Sequence, residues 1–159
     1  MSCNRELAHI LVIPEDDANR QLANGLHMMI EPGRQRQLQV LREVGGWRRV
    51  LKTFEEEYIV YLTAYPAGHV VLLVDFDLQE DRFLEVKKCI PQDFADRVFI
   101  LGAWDEPESM RELGTPEMVG RLLASDCRDQ TTQTWGHPML KHNVDELARI
   151  RKTICDVIF

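Results

Sequence analysis

The residues of this chain whose types and spacing suit chemistry are carboxylates at the ends of aliphatic runs. In HVVLLVDFD, His69 to Asp77, the aliphatic stretch from Val70 to Val74 runs into Asp75 and Asp77, with Phe76 between them. An unbroken aliphatic run reads as a strand buried on both faces. Side chains alternate along a strand, so the spacing predicts that Asp75 and Asp77 project from one face. Like charges held that close repel unless a cation, a basic side chain or a proton neutralises them. Two further runs end the same way. HILVIP, His9 to Pro14, meets Glu15, Asp16 and Asp17, and VFILGAW, Val98 to Trp104, meets Asp105, Glu106 and Glu108. The ordinary alternative is that solvated acids open each following turn. Convergence of three acidic strand ends would instead make a site, and carboxylates without a cysteine cluster suit Mg²⁺ or Mn²⁺ better than zinc. Such an ion serves phosphate chemistry by polarising a phosphoryl oxygen, activating water and stabilising the leaving oxygen. His137 and Lys141, in the loop before the last helix, add candidate positive charge for a transition state.

The elements that must position these groups alternate strand and helix. After the first run, Leu22, Leu26 and Met29 recur at helical spacing, with Asp16 or Asp17 as N-cap. Residues 37–41 form a weaker strand pattern before Gly45-Gly46. Trp47, Val50, Leu51, Phe54, Tyr58, Leu62 and Tyr65 then follow one helix face up to Pro66 and Gly68. LQEDRFLEVKKCI predicts a helix ending at Pro91. Thr115-Pro116-Glu117 opens another, with a capping threonine and proline at the first position, running to about Ser125. Asn143 with Glu146 resembles a capping box at the start of the last helix. The expected fold is α/β, a mostly parallel sheet of about four strands layered between helices. We expect a single domain over residues 1–159, with its core at about 8–108 and a helical part over 109–159. In such folds ligands bind at the carboxyl ends of the strands.

Composition narrows the partners. The chain of 159 residues has a formal net charge of −7, so nucleic acid is not attracted by the surface as a whole. A local strip of Arg34, Arg36, Arg42, Arg48, Arg49 and Lys52 offers phosphate contacts or, equally, a solvated face. Cys3, Cys89, Cys127 and Cys155 are scattered, with no metal-binding or disulfide spacing. No stretch approaches the roughly 20 apolar residues of a membrane span, and a cytoplasmic protein without membrane contact is expected.

With Glu15 after the first strand and Asp75-Phe76-Asp77 after the third, the arrangement over residues 8–108 resembles the TOPRIM family, in particular the domain of OLD-type nucleases. The resemblance implies Mg²⁺-dependent phosphodiester cleavage or transfer, with Glu15 as general acid/base and the two aspartates as metal ligands. In that family a later acid and a lysine belong to the site, for which Glu106 or Glu108, and Lys141, are the candidates. Asp16 stands where the family usually has glycine. A rival resemblance is to response-regulator receiver domains. ILVIPEDDANR looks like their first strand with metal-binding Asp16 and Asp17, VVLLVDFDL like the phosphoacceptor strand, and MLKHNVDEL like the lysine segment. The third possibility is an interaction protein of the same fold without chemistry. A chain this short has little room to grip DNA, so a nuclease reading implies a homodimer or a partner subunit.

Overall fold

The computed structural model describes residues 2–159. Four strands, β1 (His9–Pro14), β2 (Leu38–Val40), β3 (Gly68–Leu73) and β4 (Val98–Leu101), form one parallel sheet in the order β2-β1-β3-β4. Between and after them run α1 (Asp17–Met28), α2 (Trp47–Thr53), α3 (Ile59–Ala64), α4 (Arg82–Lys88), α5 (Pro116–Asp129), α6 (Val144–Thr153) and α7 (Cys155–Ile158). The fold is therefore the expected α/β sheet flanked by helices. Strand periodicity sends alternate residues to two cores. Ile10, Val12, Val71 and Leu73 pack with Leu22 of α1, Val119 and Leu123 of α5, and Leu147 and Ile150 of α6. Leu11, Ile13, Leu72 and Val74 pack with Val50, Phe54, Leu62 and Val86 on the other side. The segments after residue 109 thus complete one of the two cores.

Local signals account for several boundaries. The Asp16 carboxylate accepts from Asn19 N and caps α1, and Thr115 Oγ1 accepts from Met118 N and caps α5. The helical stripe from Trp47 is interrupted by a π-helical turn at Phe54–Tyr58, which joins α2 to α3 without a break. The strand expected over 98–104 is regular to Leu101, and beyond it Ala103 O and Trp104 O still accept from Phe76 N and Leu78 N, while α5 continues past Ser125 to Asp129.

α1 and α5 approach backbone to backbone. A Cβ on Gly25 would lie 1.9 Å from Glu117 O, and one on Gly120 would lie 1.9 Å from Leu22 O. Neither carbonyl can yield without moving its helix. Gly25→Ala is therefore expected to cost about 2–3 kcal/mol despite alanine's better helix propensity. For a domain of this size that lowers the melting temperature by roughly 5–10 °C. An unchanged melting temperature would contradict the close approach.

Candidate functional site

The chain passes from β1 to β2 on one side and returns to β3 on the other, so the topological switch point lies between β1 and β3. Glu15, Asp16, Asp75 and Asp77 all stand at the carboxyl ends of these two strands. Glu15 N still pairs with Leu73 O at 2.9 Å, but the Glu15 carbonyl turns away to accept from Gly45 N and Gly46 N at 2.8 and 3.3 Å. The next donor of the ladder, Asp75 N, is taken by the Glu15 side chain, with Oε2 at 2.6 Å. A carboxylate thus stands in for a backbone acceptor, because a buried N–H needs a partner.

The Asp75 carboxylate continues toward α1, where Asn19 Nδ2 donates to it at 2.9 Å and to Asp16 Oδ1 at 3.0 Å. Asn19 is fully buried, and its Oδ1 has no hydrogen-bond partner. On the opposite flank Arg82 Nη1 donates to Asp75 O at 2.8 Å and to Asp77 Oδ2 at 2.9 Å, while its guanidinium lies 4.5 Å from the Trp47 ring centroid. Glu15, Asp16, Asn19, Asp75, Arg82 and Asp77 therefore form one connected network.

Asp75 and Asp77 do not share a face, contrary to strand alternation. β3 ends at Leu73, and Asp77 adopts φ 49°, turning its side chain outward to 54% exposure while Asp75 stays buried. The electrostatics follow from this split. Burial carries the Asp75 carboxyl from 3.8 to about 8, reinforced by the charges of Asp16, Glu15 and Asp77 and opposed by the Asn19 hydrogen bond. Burial likewise raises Glu15, helped by Asp16 and Asp77 and countered by the Asp75 N–H and by Arg82.

None of the other candidates hydrogen-bonds to this network. Glu106 and Glu108 follow β4 at the start of a 3₁₀ segment, Pro107–Leu113, and hydrogen-bond to none of its members. His137 is spent on its own loop, with Nδ1 accepting from Met139 N and Nε2 donating to Glu112. Lys141 is exposed and, among the described residues, forms no ion pair. The basic strip is also divided, since Arg34 donates to the carbonyls of Asp156 and Phe159 at the C-terminus. Asn19 and Arg82 were not candidates from the sequence. Asn19, three residues after a capping Asp, had a local signal, whereas Arg82 had none.

No protein family, curated protein or solved structure matches the chain. The site must be judged on its own donors. Among the described residues, no three His, Cys, Asp or Glu side chains are grouped so as to hold a metal ion by themselves. Mg²⁺ rarely asks for that, because it binds through one or two carboxylates and completes its shell with waters and substrate phosphate. A donor set of carboxylates plus the unpartnered Asn19 Oδ1, with no thiol, fits such a hard ion. No helix among the described residues is long and apolar enough to cross a membrane.

Proposed function

We propose that this chain is a TOPRIM-like, Mg²⁺- or Mn²⁺-dependent phosphodiester-cleaving domain acting on nucleic acid. The observation that carries this reading is the continuous network from Glu15 to Asp77 at the β1/β3 switch point, the crevice where sheets of this kind bind ligands. Asp75 and the unpartnered Asn19 Oδ1 would hold the ion, with Glu15 beside it, while Asp77, turned outward onto Arg82, would not share that ion's shell. When bound, the ion polarises a phosphoryl oxygen and stabilises the leaving oxygen. Glu15, held against Asp75 N and raised in pKa by burial, would serve as the general acid/base. Arg82 fixes Asp77 and the Asp75 carbonyl together, which sets the spacing of the two aspartates. Exposed Lys141 forms no part of the network and is given no step in this reading. A homodimer or partner subunit would supply the grip on the strand.

The test is cleavage of supercoiled plasmid and of a labelled single strand by the purified chain with Mn²⁺ or Mg²⁺. Glu15→Gln and Asp75→Asn should each lower the rate by roughly 100-fold or more. Asp129→Asn, which removes an exposed carboxylate bound only to Arg128, should leave it unchanged. Loss of activity in none of the site variants would remove the assignment.

One observation favours a receiver-like signalling module as a second reading. The order β2-β1-β3-β4 equals the first four strands of the 2-1-3-4-5 order found in receivers. Against it, the segment carrying Lys141 enters α6 rather than following a fifth strand, and the Asp75 carboxyl is buried. Beryllofluoride with Mg²⁺ separates the two: stoichiometric binding at Asp75 would overturn the nuclease reading. Failure of both assays leaves an interaction protein.

A further inference from the structure

The D-x-D segment faces two ways. Its aspartates join the acidic network, while Phe76 between them heads a cavity of about 370 Å³ on the sheet face that packs α2 and α4. Arg82 and Phe83 repeat the division, charge into the network and ring into the cavity. Phe76 lies 6.5 Å from Phe83 and 6.4 Å from Trp104, centroid to centroid, with interplanar angles of 19° and 18°. Each of the two rings is thus nearly parallel to Phe76. His142 stands edge-on to Phe76 at 4.8 Å. Phe76 is 1% exposed and fixed, whereas Phe83 and Trp104 are half-buried and leave ring surface open.

The polar groups at this cavity are few and of both signs. Lys87 and Arg149 share the buried Glu146 carboxylate, and Glu80 and Asp145 are exposed at the margin. Both ring nitrogens of His142 are buried without a hydrogen-bond partner. A neutral imidazole has one donor and one acceptor to satisfy. Aromatic walls with a small number of donors and acceptors suit a flat heteroaromatic ring whose edge carries both. An aliphatic ligand would make no use of the parallel ring planes, and an anion would meet Glu80, Asp145 and Glu146.

We propose that this cavity binds a nucleobase, the one attached to the phosphate handled at the acidic network. The proposal rests on the phosphodiester reading for its substrate class. Asp75 and Phe76 leave the chain on opposite faces of the sheet, so the link runs through α4, whose Arg82 holds Asp75 O and Asp77 while its neighbour Phe83 lines the cavity.

Titration of the whole chain with each of the four ribonucleosides, followed by tryptophan fluorescence, tests this, with ribose 5-phosphate as the base-free control. At least one nucleoside should give a saturable change and ribose 5-phosphate none. Phe83→Leu should weaken nucleoside binding roughly tenfold, as expected for removal of one stacking ring. Asp129→Asn, at an exposed carboxylate that lines neither the cavity nor the network, should bind nucleosides as the wild type does. Saturation-transfer NMR on the wild type, observing base protons, needs no variant and covers the case in which Phe83→Leu does not fold. No saturable binding of any nucleoside, or binding indifferent to Phe83→Leu, overturns the proposal. Nucleoside binding without metal-dependent cleavage upholds the cavity and removes only the phosphodiester reading. Cleavage without nucleoside binding removes only the cavity.

Discussion

Asp75→Asn is expected to stabilise the metal-free protein, by a margin that grows with pH. The folded state carries this carboxyl from 3.8 to about 8, so between those values it keeps a proton that the unfolded chain has released. Stability from this group is therefore full below about pH 4 and is lost as pH rises through 8. At 1.36 kcal/mol for each tenfold change in proton affinity, the loss has a ceiling of about 5–6 kcal/mol, and water penetration and relaxation reduce it to roughly 2–4 kcal/mol. Asparagine keeps the size and still offers an oxygen to Asn19 Nδ2, while removing the charge that burial, Asp16, Glu15 and Asp77 all oppose. Denaturant unfolding at pH 5, 7 and 9 checks this, through a difference between variant and wild type that widens toward alkaline pH. A constant difference would mean that Asp75 is not held in an acidic, desolvated site. Asp77→Asn should behave otherwise. Asp77 is exposed and paired with the buried Arg82, so its replacement brings no gain and a change within about 1 kcal/mol.

The second large effect lies at the outer edge of the sheet. β4 has no strand beyond it, and two side chains from the start of α6 take that place. Glu146 Oε2 accepts from Ile100 N at 2.8 Å, Asn143 Oδ1 accepts from Gly102 N at 3.2 Å, and Asn143 Nδ2 donates to Gly102 O and Leu140 O, each at 2.9 Å. Asn143→Ala leaves the Gly102 N–H and C=O buried without these partners, at a cost of about 2–4 kcal/mol. Glu146→Ala also leaves Arg149 and Lys87 without their shared carboxylate, and is expected to cost about 3–5 kcal/mol. Melting temperatures should fall by roughly 6–15 °C. Glu146→Gln, which keeps an oxygen for Ile100 N, should lose less. Hydrogen exchange at the Ile100 and Gly102 amides gives the local readout, and protection unchanged in both alanine variants would refute the pairing.

The same residues show where sequence reading stops. Asn143 and Glu146 have the spacing of a capping box, yet Asn143 makes no side-chain cap and both turn to β4. A local rule sees only the neighbours of a helix start, whereas the partners here lie 41 and 46 residues away. Asp77 shows the limit at shorter range: alternation holds only while the chain stays in the strand, and β3 ends four residues earlier. What the amino-acid sequence determined by itself was whatever depends on periodicity and on the nearest few residues. The aliphatic runs of β1, β3 and β4, the cap at Thr115, a cap at Asp16 or Asp17, and the α/β alternation follow from burial and from unpaired helix-end N–H groups. Tertiary structure alone decided the strand order and the meeting of Glu15 and Asn19 with Asp75, across 60 and 56 residues of chain. It also decided the insertion of Arg82 between Asp75 and Asp77, and the separation of His137 from the acids by its bond to Glu112. The physical reason is that hydrophobic periodicity records whether a residue is buried, while the partner of a buried charge is chosen by which chain ends the sheet order brings together.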